Sequence, residues 1–180
     1  ISPKIANTPR VKSLKELFLK RNDRGQVGYT IFSHYFRQEK GFAPIQELLE
    51  TLANIKFCGK VIPVTTQPCD LVFETKSGQV YRGEHELDDK RMSADTVEDM
   101  WLEPEVTAFV DAVDAVATAD IIIFCCGSLH GSVLVNLLPK GIKQALRISH
   151  ARKFYLTNIA SSRNETDNFT PEDFIKVFRK

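Results

Sequence analysis

Apolar residues recur with two periods along this chain, and in its second half the two periods alternate. Ile121-Ile122-Ile123-Phe124 is a short continuous apolar run, the pattern of a buried strand. Cys125-Cys126-Gly127-Ser128 interrupts it. The apolar positions then return at helical spacing and predict a helix near residues 132–138. Strand, tight glycine turn and helix start place backbone N–H groups and a Ser hydroxyl at a helix N-terminus, which favours anions. Read this way, Gly127 and Ser128 hold a phosphate or nucleotide beyond the carboxyl end of a parallel strand. The same small-residue turn also serves as a packed connection that binds nothing, since a lone Gly-Ser turn carries little specificity.

Helical spacing also marks Val11, Leu14, Leu17 and Phe18. Residues 22–30 break it and read as a loop. Pro44 opens a second helix with Ile45, Leu48, Leu49, Leu52 and Ile55 on its apolar face, and Cys58-Gly59 ends it. Residues 60–64 read as a strand that stops at the turn Thr65-Thr66-Gln67-Pro68. Leu71–Thr75 and Gln79–Arg82 flank Lys76-Ser77-Gly78 as a β-hairpin. Residues 84–103 are polar and acidic and predict a surface excursion. Helices are expected over 104–118 and 142–149, and a strand over 154–157. Thr170-Pro171-Glu172-Asp173 combines an N-cap, a Pro at the first helical position and acids in the first turn.

Apolar strands between helices imply an α/β domain whose parallel sheet is covered on both faces. Ligands of such sheets sit beyond the carboxyl ends of the strands. Three polar clusters fall there: Thr65-Thr66-Gln67, Gly127-Ser128, and the residues from Asn158 onward.

Composition narrows the function classes. A length of 180 residues suits one domain, and 43% hydrophobic with 26% charged residues supports a packed core. The net charge of +1 gives no electrostatic case for nucleic acid or an anionic membrane as partner. No apolar run reaches the length of a membrane span, and no secretory signal opens the chain. The expected location is the cytoplasm. The four cysteines, Cys58, Cys69, Cys125 and Cys126, form no C-x-x-C pair and are expected to be buried free thiols. His34, His85 and His150 show no metal-ligand spacing, so no metal site is read from them.

Several separated segments resemble one known family. Residues 127–138 (GSLHGSVLVNLL) are similar to a segment of the 2-phospho-L-lactate transferase (CofD-like) family, and more closely to its gluconeogenesis-factor (YvcK-like) branch. Residues 60–66 (KVIPVTT) resemble its VLPxT segment, and residues 80–84 (VYRGE) its hairpin bearing Gly-Glu. Tyr155-Leu156-Thr157-Asn158, with residues 164–170 (NETDNFT), resembles its Y-x-x-N…GETxGYT segment. The resemblance runs in order over residues 41–178. Cys125-Cys126 stands where Gly-Pro is usual, and His130-Gly131 where Tyr-Thr is usual. No Gly-rich opening strand and turn is present. The expected organisation is a divergent helix and loop over residues 1–40, then one domain over residues 41–180, from a fragment or a divergent member.

The resemblance implies a Rossmann-like three-layer sandwich with a mostly parallel sheet and a β-hairpin excursion. It implies a nucleotide diphosphate or nucleotide-sugar ligand, held by Thr65, Thr66, Gly127, Ser128, His130, Ser132, Asn158 and Arg163. A regulatory binding protein of the gluconeogenesis-factor type is the leading reading. The alternatives are a Mg²⁺-dependent transferase moving a phospholactyl group to a deazaflavin, and a non-catalytic structural fragment. A homodimer is compatible with each. Every assigned residue has a plainer role beside the functional one. Ser128 caps the following helix, Asn136 bonds backbone, Glu84 is a solvated acid, and Arg163 is a solvated loop cation.

Overall fold

The hairpin around Lys76-Ser77-Gly78 seeds the larger sheet of this protein. The computed structural model describes residues 7–22, 25–28, 30–31, 33–34, 43–88, 95–162 and 165–179. The chain forms two compact units, Ile1–Thr66 and Gln67–Lys180.

The first unit contains α1 (Pro9–Leu19), β1 (Arg21–Asn22), β2 (Gly25–Gln26) and α2 (Ala43–Ala53). Both helices lie where apolar spacing predicts them, and they pack on each other. The segment expected as a loop carries a two-residue antiparallel ladder, with Arg21 opposite Gln26. The strand expected at residues 60–64 is irregular backbone instead. Pro63 has no N–H to donate to a ladder.

The second unit runs β3 (Asp70–Thr75), β4 (Val80–Arg82), β5 (Val97–Glu103), α3 (Val110–Thr118), β6 (Ile121–Phe124), α4 (Ile142–Ile148), β7 (Arg152–Tyr155) and α5 (Pro171–Arg179). β3 and β4 are the predicted hairpin, paired Phe73 to Tyr81. Gly78 supplies the positive φ of +81° that the turn needs. β5 was not expected. It pairs antiparallel with β3, Phe73 opposite Met100, inside the stretch read as a polar excursion. Glu103, at the end of β5, is paired from a neighbouring strand. Arg82 bonds both Asp70 and Glu103, and the Trp101 indole N–H donates to Glu103 at 2.9 Å.

β6 and β7 pair in parallel, Ile121 to Arg152 through Phe124 to Tyr155. The fold is α/β and Rossmann-like. Among the described strands its parallel part is this pair. The larger sheet is the antiparallel β4-β3-β5, so the excursion is bigger than the sequence pattern suggests. α3 begins at Val110 rather than at 104 because the preceding backbone is used otherwise. Ala108 N–H donates to the Lys140 carbonyl at 2.9 Å, and Lys140 N–H donates to that of Val106 at 3.0 Å. β7 starts two residues before its expected position. α5 starts where predicted. The Asp173 carboxylate accepts from the Thr170 N–H at 3.0 Å and from its hydroxyl at 2.7 Å.

Two buried clusters form the core of this unit. Leu71, Phe73 and Leu87 make one, and Leu129, Leu134 and Phe174 the other, with Met100 packed against both. One side of the parallel pair stays open, leaving Ile121 at 55% and Ile123 at 53% exposure. Among the described residues no helix is long and apolar enough to cross a membrane. Phe73 is fully buried. Phe73→Ala removes its ring from the centre of the antiparallel sheet and should cost about 3–5 kcal/mol of stability. Urea denaturation of the two proteins checks this, and a difference below about 1 kcal/mol would contradict the assigned core.

Candidate functional site

β6 delivers the chain to the glycine turn, and β7 delivers the side chain that fixes it. Beyond the ladder, Leu156 N–H still donates to the Phe124 carbonyl at 2.9 Å. Asn158 then replaces backbone with side chain. Its Nδ2 donates to the Gly127 carbonyl at 2.8 Å, and its Oδ1 accepts the Gly127 N–H at 3.1 Å. This two-point clamp continues the sheet pairing past the last strand residue.

The segment after the turn is wider than an ordinary helix. Ser132 N–H and Val133 N–H both donate to the Ser128 carbonyl, at 3.0 and 3.1 Å. The second of these is an i→i+5 bond, a geometry concentrated at functional sites. A tighter turn, Leu134–Leu137, follows. The predicted regular helix near 132–138 is replaced by these two short turns, and they start at Leu129. Ser128 caps the first of them. Its Oγ accepts the Gly131 N–H at 2.9 Å and donates to Glu165 Oε1 at 2.6 Å.

Glu165 is the centre of the arrangement, and it has no role in the sequence reading. It is buried, and its Oε1 also accepts the His130 N–H at 3.0 Å. A carboxylate therefore occupies the Ser hydroxyl and one of the backbone N–H groups that the sequence pattern offers to a phosphate. Thr166, fully buried, holds this loop by accepting the Ser162 N–H at 2.7 Å. Burial pushes the Glu165 carboxyl up. The hydrogen bonds from His130 and Ser128, with the nearby imidazole, outweigh burial and leave it below the ordinary glutamate value. The His130 ring itself stands off. Its Nδ1 is 3.6 Å from Glu165 Oε1, beyond hydrogen-bond reach, and has no partner. Tyr155, beside the turn, has its hydroxyl pushed above the usual phenol range by burial, with Cys126 and Glu165 adding to the effect.

The hairpin brings a second carboxylate. Gly83, at φ +97°, leads into a short turn that starts at Glu84. A Cβ at Gly131 would lie 2.9 Å from Glu84 Cγ, 2.9 Å from Ser128 Oγ and 3.0 Å from Glu84 Oε1. A side chain there would force the Ser128 hydroxyl or the Glu84 side chain to shift. A Cβ at Gly127 would lie 3.2 Å from that of Ser132, so the turn is tight there as well. Ser132 itself is exposed. Among the described residues, no group of three or more His, Cys, Asp or Glu side chains gathers to hold a metal.

Five of the predicted residues meet at this turn: Gly127, Ser128, His130, Ser132 and Asn158. Thr65 and Thr66 belong to the first unit, in irregular backbone. Arg163 lies outside the described residues. Asn136 bonds backbone, donating to the Ser132 carbonyl at 2.7 Å. The cysteines are free thiols, but Cys58, Cys125 and Cys126 are exposed rather than buried. Cys125 and Cys126 sit past the end of β6, where the sheet no longer covers them.

Glu165→Gln should cost about 1.5–3 kcal/mol, the range of hydrogen bonds to a charged group. The native carboxyl is held below its unfolded value of about 4.3, so the unfolded chain takes up its proton first. The contribution of Glu165 is therefore complete above that pH and disappears as pH falls through the lower native value. Denaturation midpoints of the two proteins between pH 7 and pH 3 should converge on the acid side. A constant gap over this range would show that the stabilisation is not carried by the charge.

Comparison with known proteins places this turn in a family. The 2-phospho-L-lactate transferase CofD family matches residues 14–180, so the match reaches back beyond residue 41 and begins within α1. The gluconeogenesis factor of Listeria innocua is 34% identical over 155 residues, covering 86% of this chain and 47% of the relative. That of Bacillus subtilis is 29% identical over 140 residues, covering 77% and 42%. The crystal structure of a UPF0052 family member from Bacillus halodurans superposes with a TM-score of 0.79 at 27% identity, covering 97% of this chain and 57% of that one. The chain thus spans less than half the length of these curated relatives. With its motifs matched in order and its fold shared, this chain belongs to the CofD family.

Proposed function

We propose that this chain forms part of a nucleotide- or nucleotide-sugar-binding regulator of the gluconeogenesis-factor type. The observation that carries the reading is the glycine turn at the carboxyl end of β6. Asn158, Glu165 and Ser128 hold it in place from inside the protein. A turn fixed before the ligand arrives loses little freedom on binding. The diphosphate approaches its outer side, where Gly127 has no side chain and the Ser132 hydroxyl is exposed.

The local charge bears on the form of the ligand. Glu84 and Glu165 flank the turn, so a bare diphosphate meets repulsion there. Mg²⁺ prefers hard oxygen donors and is commonly held by one or two carboxylates together with ligand phosphates. Glu84 is exposed and supplies one such carboxylate, whereas Glu165 is committed to the turn. The favoured ligand is accordingly a Mg²⁺–diphosphate complex. The ion would supply charge neutralisation between Glu84 and the phosphates. Binding of this kind asks for attraction, whereas group transfer also needs two reactants aligned in space. The similarity to gluconeogenesis factors supports the regulatory reading over the transferase one.

Titration calorimetry with nucleotide diphosphates and nucleotide sugars tests the proposal. Binding should be stronger with Mg²⁺ than without. Gly127→Val and Ser132→Asp should each weaken it about tenfold or more while the circular dichroism spectrum stays native. Glu84→Gln should reduce the dependence on Mg²⁺. Unchanged affinity in both turn variants would reject this turn as the binding site.

A further inference from the structure

A cavity of about 450 Å³ lies in the second unit, away from the outer side of the glycine turn. That volume is within the range of small-molecule sites. Met100, Phe124, Leu134, Leu137, Leu146 and Phe178 give it an apolar floor. Its rim is charged, and the charges are not equivalent. Lys153 lines it, but its Nζ already donates to the carbonyls of Ser149 at 2.8 Å and Ala151 at 3.2 Å. Glu98 and Asp99 on β5 also line it, and Asp99 accepts the Met100 N–H at 2.8 Å. Lys143 and Arg147 differ from these. They are one turn apart on α4, both exposed, and among the described residues no ion pair engages either.

His130 also lines the cavity and is 6% exposed, so its ring adds to the wall. An apolar floor and two uncommitted cations on one helix face occur together here.

We propose that this cavity is a ligand site for a small amphipathic monoanion, an aromatic or short-chain carboxylate. The apolar body lies on the leucine and phenylalanine floor, against the His130 ring. The carboxylate sits between Lys143 and Arg147. The Arg147 guanidinium can meet it with two parallel N–H groups. This site does not rest on the nucleotide reading.

The test uses the whole 180-residue chain and 8-anilinonaphthalene-1-sulfonate, a fluorescent aromatic monoanion. Its emission should rise saturably with one site per chain, while near-ultraviolet circular dichroism and cooperative melting exclude a loosened fold. 4-Phenylbutyrate should displace it, and 4-phenylbutanol, of the same shape without the charge, should not. The double variant Lys143→Ala/Arg147→Ala should bind about tenfold more weakly or worse, given the usual strength of charge-assisted hydrogen bonds. The charge-keeping pair Lys143→Arg/Arg147→Lys should restore most of the affinity. Absence of saturable binding, equal displacement by the alcohol, or unchanged affinity in the double alanine variant would each overturn the proposal.

Discussion

One buried carboxylate organises the second unit. Glu165 Oε1 receives the Ser128 hydroxyl and the His130 N–H, and these two bonds set the path of the chain after Gly127. That path places Leu129 and Leu134 in the core cluster with Phe174. Met100 packs against that cluster and also against the one around Phe73. A negative group at the start of a helical turn is electrostatically favourable, and here the protein supplies the anion itself. The arrangement is costly to break, because both the donors and the acceptor are shielded from water.

Legibility in the sequence followed the range of the interaction. β6, the hairpin and the start of α5 rest on local signals: an apolar run, a glycine at a positive φ, and a Thr-Pro-x-Asp cap. Those features were readable from neighbouring residues. β5 was not, since Arg82 pairs with its Glu103 from another strand and a single sequence does not display that pairing. Glu165 was hidden for the same reason, being 37 residues from Ser128. Its neighbours Asn164 and Thr166 lie in a segment that resembles the family motif, the one signal that pointed to it. Proline had the opposite effect at residues 60–64. There the apolar pattern suggested a strand, and the missing N–H of Pro63 prevented it.

Two carboxylates lie at the turn, the buried Glu165 and the exposed Glu84, which constrains its chemistry. Glu84 and Glu165 approach the turn from two elements distant in sequence, and the missing Cβ of Gly131 leaves room for Glu84. Any side chain there would meet Glu84 or the Ser128 hydroxyl at about 3 Å. A turn closed to further side chains is rigid, and rigidity suits recognition of a ligand whose charge is already balanced. It suits a naked polyanion poorly. The hydrogen-bond donors that a simple anion hole would offer are already engaged, by Asn158 at Gly127, by Glu165 at His130 and by Ser128 at Gly131.

His130 connects this turn to the cavity beneath it. Its backbone N–H belongs to the Glu165 network, and its ring forms part of the cavity wall. The 3.6 Å gap between Nδ1 and Glu165 Oε1 is short enough that a small rotation of the ring changes the contact from Coulombic to hydrogen-bonded. A molecule packed against the ring would therefore act on the carboxylate that holds the turn. Coupling of this kind is reciprocal, because binding free energies around a closed cycle must sum to zero. A ligand on the outer side of the turn that shifted Glu165 would alter the cavity by the same factor. The two places need not share a single contact for this to hold; they need only share His130.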